Sequence, residues 1–249
     1  MPDLILCLGG TAEARALAER TPVLTSLAGR VPDPTLPVGE VRIGGFGGVE
    51  GLTVWLAEHR PTAVVDATHP FAAQMSAQTA EACTRLGVPL LRLQRPGWVA
   101  TDGDVWHRAA SFADAAALVP TLGRRPLLAT GRQHLGPFLG LPDVVVRAVA
   151  RPDEVPPSWV VVLGRPPWAL EQERALIAEY GIDLVVTKDS GGAAAAKLQA
   201  AREAGLPVVV VDRPAPAAVQ LAVPVVPTVD EALTWLAALP PPPSLRHIS

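Results

Sequence analysis

The second half of the chain repeats the first, and this repeat constrains the fold more than any other feature of the sequence. A shift of 121 positions brings apolar runs and glycine turns into register, residues 6–10 with 127–131 and residues 23–30 with 144–151. Farther along the chain the second helix is shorter in the second copy, so the shift becomes smaller and residues 87–89 align with 205–207. The sequence therefore predicts two copies of one structural unit, residues 1–121 and 122–249, joined near residues 123–126.

Apolar runs of strand length alternate with helical stretches in both copies. In the first copy these runs are residues 4–8, 23–27, 63–65 and 89–93. Such alternation is typical of a mostly parallel sheet covered by helices. Each copy ends in a capping-box pattern before an alanine- and leucine-rich helix, Ser111 with Asp114 and Thr228 with Glu231. The predicted fold class is α/β, with two tandem Rossmann-like domains, mostly parallel sheets and a cleft between the domains.

Composition excludes several classes of protein. Hydrophobic residues make up 49% of the 249 residues and charged residues 18%, which favours a packed globular protein over a disordered one. The apolar runs are far shorter than the roughly 18 residues of a membrane span. Because the start of the chain also lacks a signal-peptide pattern, we expect a cytoplasmic protein. The net charge of −3 argues against binding to nucleic acid or to a membrane surface.

The two cysteines, Cys7 and Cys83, are too few for a disulfide framework or a metal cluster. Both lie in apolar or helical patterns, so we predict that they are small buried residues. We also predict a monomer that holds no metal.

Glycine turns follow two predicted strands of the first copy, at the edge where parallel sheets bind ligands. Gly9, Gly10 and Thr11 follow the first strand, and glycine allows the backbone to approach a phosphate closely, although a plain tight turn explains the pattern equally well. Gly44 and Gly45 belong to a glycine-rich loop after the third strand. That loop is either a ligand contact or a mobile connection.

Ser26 and Arg30 lie at the end of the second strand. Folds that prefer NAD usually place an acidic residue there for the ribose hydroxyls. A hydroxyl and an arginine suit a 2′-phosphate instead. This pair therefore favours NADPH as the cofactor.

Polar residues also follow the fourth strand of the first copy. Asp66, Thr68 and His69 precede Pro70, which suits the first turn of a helix. The pattern predicts that the helix begins at Pro70 and that Thr68 and His69 lie at its N-terminus. His69 is then either a donor of a hydrogen bond or proton to a ligand, or only a cap.

The second copy carries cations at the corresponding strand ends. Arg132 follows its first strand, and Lys188 ends its fourth, followed by Ser190, Gly191 and Gly192. Only Lys188 and Lys197 are lysines in this chain, so a lysine at a strand end stands out. Ser190 and the two glycines are predicted to cap the next helix and to hold an anion. The alternative is a purely structural Lys188–Asp189 pair.

Taken together, these motifs resemble those of the precorrin-6A reductases of cobalamin biosynthesis. The resemblance lies in residues 9–13, 26–30, 66–72, 130–132, 187–192 and 208–214, and so covers nearly the whole chain. It implies that NADPH reduces one ring double bond of precorrin-6A to give precorrin-6B. It also implies nucleotide binding in the first unit, a macrocycle between the two units, and His69, Lys188 or a water as proton donor. The implied cofactor residues are Gly9, Gly10, Thr11, Ser26 and Arg30, and we add Gly44 and Gly45 from the glycine-rich loop to this predicted site. The implied substrate residues are Asp66, Thr68, Arg132, Ser190, Gly191 and Gly192.

Three alternatives stay open at this point. The first is a cobalt-precorrin-6A reductase that uses NADH. The second is an NADPH-dependent reductase or epimerase of another metabolite, but the Tyr-xxx-Lys pair common in such enzymes is absent, since Tyr180 is followed by Leu184. The third is a two-lobed protein that binds a small anion without catalysis.

Overall fold

The computed structural model describes residues 4–29, 35–192, 195–217, 220 and 222–240. These residues form two compact units. The first contains the described residues up to Arg95 together with those from Ala215 onward, and the second contains Pro96–Pro214. Within the described ranges, no helix has the length and apolar character needed to cross a membrane.

Strands and helices alternate along the whole chain. The first half contains β1 (Ile5–Leu8), α1 (Ala12–Ala18), β2 (Leu24–Leu27), β3 (Glu40–Ile43), α2 (Gly48–His59), β4 (Ala63–Asp66), α3 (Ala73–Leu86), β5 (Leu90–Leu93), β6 (Val105–Ala109) and α4 (Phe112–Leu122). The second half contains β7 (Pro126–Ala129), short 3-10 turns at Arg132–His134 and Gly136–Phe138, β8 (Val145–Ala148), β9 (Val160–Leu163), α5 (Leu170–Tyr180), β10 (Leu184–Lys188), α6 (Ala196–Glu203), β11 (Pro207–Val211), β12 (Val225–Val226) and α7 (Val229–Ala237). The strands predicted in the first half are confirmed as β1, β2, β4 and β5.

Each unit contains one sheet of six parallel strands. The order is β12-β5-β4-β1-β2-β3 in the first unit and β6-β11-β10-β7-β8-β9 in the second. Within each sheet, the first strand lies at the centre, with the second and third on one side and the fourth and fifth on the other. This is the strand order of Rossmann folds. The predicted α/β class with two Rossmann-like units is therefore confirmed.

The sixth strand of each sheet comes from the other half of the chain. β12 pairs with β5 in the first sheet, and β6 pairs with β11 in the second. The helix α7 follows β12 into the first unit, where Ala232 is fully buried among Leu17 and Leu91. The structure thus differs from the predicted division at residues 121 and 122, because the last strand and helix of each half belong to the unit formed mainly by the other half.

Burial explains why the strands were readable from sequence. The central strands of a parallel sheet are covered on both faces and therefore carry continuous apolar runs. All four residues of β4 are buried, as are four of the five in β11. Cys7 and Cys83 are buried and unbridged, as predicted.

Candidate functional site

The two strand ends at the centre of the first sheet define its candidate ligand-binding edge. From β1 the chain goes to β2 and β3 on one side of the sheet, and it then crosses to β4 on the other side of β1. The point between β1 and β4 is the topological switch point, and ligands of open α/β sheets bind beyond it. The residues that follow are Gly9–Thr11 after β1 and the segment from Asp66 to His69 at the end of β4. The amide of Ala67 donates to the carbonyl oxygen of Leu8 at 3.0 Å, which holds the two ends together.

The Gly9–Gly10 turn requires both of its glycines, for different reasons. A Cβ on Gly9 would lie 2.6 Å from Cγ2 of Thr25, too close for any side chain. Gly10 has a φ of +105°, and a Cβ there would meet no atom within 4 Å. The backbone at Gly10 is therefore open to a ligand.

Thr11 has a structural role that the sequence pattern did not reveal. Its hydroxyl accepts from the amide of Ala14 at 3.2 Å, which caps the seven-residue helix α1, and donates to the carbonyl of Ala67 at 2.7 Å. Because the hydroxyl proton is used inside the protein, the predicted cofactor contact of Thr11 would involve its backbone.

Ser26, at the end of β2, lies beside an arginine that was not predicted. Ser26 and Arg42 are register partners across β2 and β3, and Nη1 of Arg42 donates to Oγ of Ser26 at 3.2 Å. The same guanidinium donates to the carbonyls of Gly44 and Gly45 at 2.6 and 2.8 Å. The structure thus brings three predicted cofactor residues together around Arg42, whereas the predicted Arg30 lies outside the described residues.

Asp66 is a buried carboxylate whose oxygens are both bonded within the protein. Oδ1 accepts from the amide and the hydroxyl of Thr68 at 3.1 and 2.7 Å. Oδ2 accepts from Arg92, which also donates to Ser76. A buried carboxylate needs such partners. In this structure Asp66 therefore fixes the loop after β4.

His69 lies in a turn and not at a helix start. The prediction that the helix begins at Pro70 is wrong, since α3 begins at Ala73 and the carbonyl of His69 accepts from the amide of Ala72 at 2.7 Å. Nδ1 of His69 is 3.2 Å from the amide of Phe71, which donates to it. In the neutral ring the proton is then on Nε2, which leaves that atom as the donor.

The switch point of the second sheet lies between β7 and β10. Thr130 follows β7 and is fully buried, and among the described residues its hydroxyl has no hydrogen-bond partner. Arg132 begins the 3-10 turn after Gly131. His134 stacks on Phe112 with ring centroids 4.2 Å apart. Burial and the charge of Lys188 lower the pKa of His134 to about 4, so this ring is neutral at pH 7.

Lys188 and Lys197 are both held in surroundings that disfavour their charge. Burial lowers the pKa of Lys188 to about 8. Burial, followed by the charge of Arg147, lowers the pKa of Lys197 to about 8 as well. Nζ of Lys197 lies 4.4 Å from the ring centre of Trp98. The sequence analysis did not predict Lys197 as a site residue. The rarity of lysine in this chain was the signal that could have identified it.

The segment after Lys188 is fixed by close packing. Asp189 accepts from the amide of Trp98 at 3.0 Å, and the indole of Trp98 donates to the carbonyl of Gly192 at 2.9 Å. Gly191 has a φ of +66°, and a Cβ there would lie 2.0 Å from the carbonyl oxygen of Pro96. The prediction that Ser190 caps the next helix is wrong, since α6 begins at Ala196 with Ala195 as its cap.

Known proteins resemble this chain both in sequence and in fold. The model of the family described as precorrin-6x reductase CbiJ/CobK matches residues 4–237. A precorrin-6A reductase of Rhodococcus erythropolis is 50% identical over 220 residues, which cover 84% of this chain and 89% of that protein. A cobalt-precorrin-6A reductase of Priestia megaterium is 31% identical over 237 residues, covering 85% and 91%. A solved CobK precorrin-6A reductase structure matches with a TM-score of 0.87 at 40% identity, covering 94% of this chain and 96% of that one. The chain therefore belongs to the precorrin-6x reductase family, CbiJ/CobK.

Proposed function

We propose that this protein reduces one ring double bond of precorrin-6A to precorrin-6B, with NADPH as the reductant. The observation that carries the proposal is the likeness, through both units, to proteins named precorrin-6A reductase. The relative named for the cobalt-containing substrate is more distant. The geometry of the strand ends adds support in three respects: the cofactor, the substrate charge and the proton.

The first unit fits a phosphorylated dinucleotide. Gly10, Gly44 and Gly45 each have open space where a Cβ would stand, so a ligand can lie against the backbone. Ser26 and Arg42 add a hydroxyl and a cation at the end of β2. When bound, NADPH supplies the hydride, and the protein supplies binding, orientation and electrostatics.

The second unit fits a ligand that carries several carboxylates. Cationic side chains follow or end three of its strands, Arg132 after β7, Arg165 after β9 and Lys188 in β10. Two carboxylates at the same edge, Asp189 and Asp212, both pair with Arg108. Arginine binds carboxylates through paired N–H donors. The edge therefore suits a polycarboxylate such as a corrin precursor.

Hydride addition to a carbon–carbon double bond must be completed by a proton on the neighbouring atom. Lys188 and His69 are the two proposed donors. With a pKa of about 8, Lys188 is mostly protonated at pH 7 and yet releases its proton readily, which suits a general acid. His69 would donate from Nε2.

The proposal is tested by mixing the purified protein with precorrin-6A and NADPH under anaerobic conditions. We expect loss of NADPH absorbance together with a product two mass units heavier, about as fast as with a known precorrin-6A reductase. Should Lys188 be the donor, Lys188→Met lowers kcat by about 100-fold. In that case the wild-type kcat also falls as the pH rises through about 8, because Lys188 loses its proton there.

Controls separate the possible failures. When His69 is the donor, His69→Gln carries the large loss of kcat instead, and Lys188→Met keeps most of the wild-type kcat. Reduction of the cobalt complex with NADH, but not of precorrin-6A, would assign the protein to the other branch. Binding of both molecules without any turnover would support the non-catalytic alternative.

The role of Gly45 in binding the cofactor is tested by Gly45→Ala. Its φ lies outside the left-handed region and a Cβ would meet nothing within 4 Å, so the free energy of unfolding should change by no more than about 0.5 kcal/mol. A cofactor lying against this backbone would meet the added methyl group, and we expect the Kd for NADPH to rise roughly tenfold. Fluorescence titration measures the Kd.

The matched control is Gly140→Ala in the second unit, where the φ is also ordinary and the space is also open. Both its stability and its affinity for NADPH should match the wild type. Unchanged affinity in Gly45→Ala would remove Gly45 from the cofactor site.

A further inference from the structure

We propose that Arg42 is the residue that recognises the 2′-phosphate of NADPH and so sets the preference for NADPH over NADH. This inference rests on the proposed function, which makes NADPH the cofactor. It assigns cofactor specificity to a residue of β3, one strand away from the segment after β2 where sequence motifs usually place it.

The strand register puts Arg42 at the required position. Ser26 and Arg42 are direct partners across the parallel strands β2 and β3, so their side chains leave the same face of the sheet. Their side chains meet at 3.2 Å, at the carboxyl end of β2. In Rossmann-like sheets the adenosine ribose binds at this strand end, and an arginine nearby accommodates a 2′-phosphate.

The guanidinium of Arg42 is held in a fixed orientation before any ligand binds. It donates to the carbonyls of Gly44 and Gly45, and its central carbon lies 3.8 Å from the ring centre of Phe46. Burial lowers the pKa of Arg42, but an arginine stays charged at pH 7. Such a fixed cation loses little conformational entropy when a phosphate binds.

The charge of Arg42 is not neutralised by the described part of the protein. Among the described residues, its contacts are to a hydroxyl, two carbonyls and an aromatic ring. Two other arginines toward the same end of this sheet do pair with carboxylates. Arg92 binds Asp66, and Arg95 lies 2.6 Å from Glu13. Within the described ranges, Arg42 is thus an oriented cation that no carboxylate pairs with, and this is the state expected of an arginine that binds a phosphate.

The test compares binding of 2′,5′-ADP, which carries the 2′-phosphate, with binding of 5′-AMP, which lacks it. Isothermal titration calorimetry on the full chain measures both, with no need for turnover. We expect the wild type to prefer 2′,5′-ADP, and Arg42→Gln to lower its affinity for 2′,5′-ADP by roughly 10–100-fold while 5′-AMP is unaffected. The ratio of kcat/KM for NADPH to that for NADH should fall by a similar factor.

Two controls make the result specific. Arg85→Gln removes an exposed arginine that pairs with Glu50 and Glu81, and should leave both affinities at wild-type values. Arg42→Lys keeps the charge but not the planar geometry, and should retain part of the preference.

Each outcome decides between the two proposals. An equal loss of 2′,5′-ADP and 5′-AMP in Arg42→Gln would mean that Arg42 only shapes the loop of Gly44 and Gly45, which overturns this inference and leaves NADPH as the proposed cofactor. An unchanged preference in Arg42→Gln overturns it as well. A wild type that binds both nucleotides equally would instead overturn the proposal of NADPH itself.

Discussion

Replacing Asp66 with alanine should lower the free energy of unfolding by roughly 3–5 kcal/mol, the usual cost of removing one partner from a buried ion pair. Asp66 and Arg92 are both largely buried, with side-chain exposures of 3% and 12%. Without the carboxylate, Arg92 keeps a buried charge, and the amide and hydroxyl of Thr68 lose their acceptor. Urea unfolding, compared through the midpoint and the slope, measures the loss.

Two variants show whether burial is the cause. Arg85→Ala breaks two exposed ion pairs, with Glu50 and Glu81, and should cost less than about 1 kcal/mol. Replacing Asp66 and Arg92 together, as D66L with R92M, should cost less than D66A alone because no charge is then left unpaired. A loss in D66A no larger than that in Arg85→Ala would show that water reaches this pair.

Gly191→Ala should lower the free energy of unfolding by roughly 3–4 kcal/mol, from two separate causes. The left-handed backbone at a φ of +66° costs an alanine about 1–2 kcal/mol. In addition, its Cβ would lie 2.0 Å from the carbonyl oxygen of Pro96 and 2.6 Å from Nη2 of Arg213, so the packed segment must move. Overpacking of this kind costs a further 1–3 kcal/mol or so.

Gly131→Ala in the same unit separates the two causes. Its φ is +80°, so the backbone strain is similar, but a Cβ there would meet no atom within 4 Å. We expect a loss of only about 1–2 kcal/mol in thermal or urea unfolding. Equal losses at the two positions would mean that the contact with Pro96 relaxes without cost.

The sequence predicted the strands well, because buried parallel strands leave a simple pattern. The predicted apolar run at residues 63–65, for example, lies in β4, whose four residues are all buried. Helix starts were harder to predict, since they depend on turns. Pro70 suits a first helical turn, yet the hydrogen bond between the amide of Ala72 and the carbonyl of His69 makes a separate turn before α3.

The candidate site was only partly predictable for a related reason. Gly9, Ser26 and Lys188 lie at or just beyond the ends of predicted strands, so their place could be inferred from their neighbours in sequence. Arg42 could not be found this way, because its importance depends on which residue of β2 it faces. The exchange of the sixth strands could not be predicted either, because it also depends on which strands pair in space. β6 and β12 are equivalent in the repeat, so the pattern contains nothing that assigns either strand to one sheet.

The exchange of sixth strands also sets an order on folding during synthesis. The second unit is one continuous stretch, Pro96–Pro214, so all six of its strands are available once that stretch has left the ribosome. The first unit is synthesised earlier but waits for Val225 and Val226 to occupy the open edge of β5. Because domains generally fold as units while the chain emerges, the domain begun first is the one finished last.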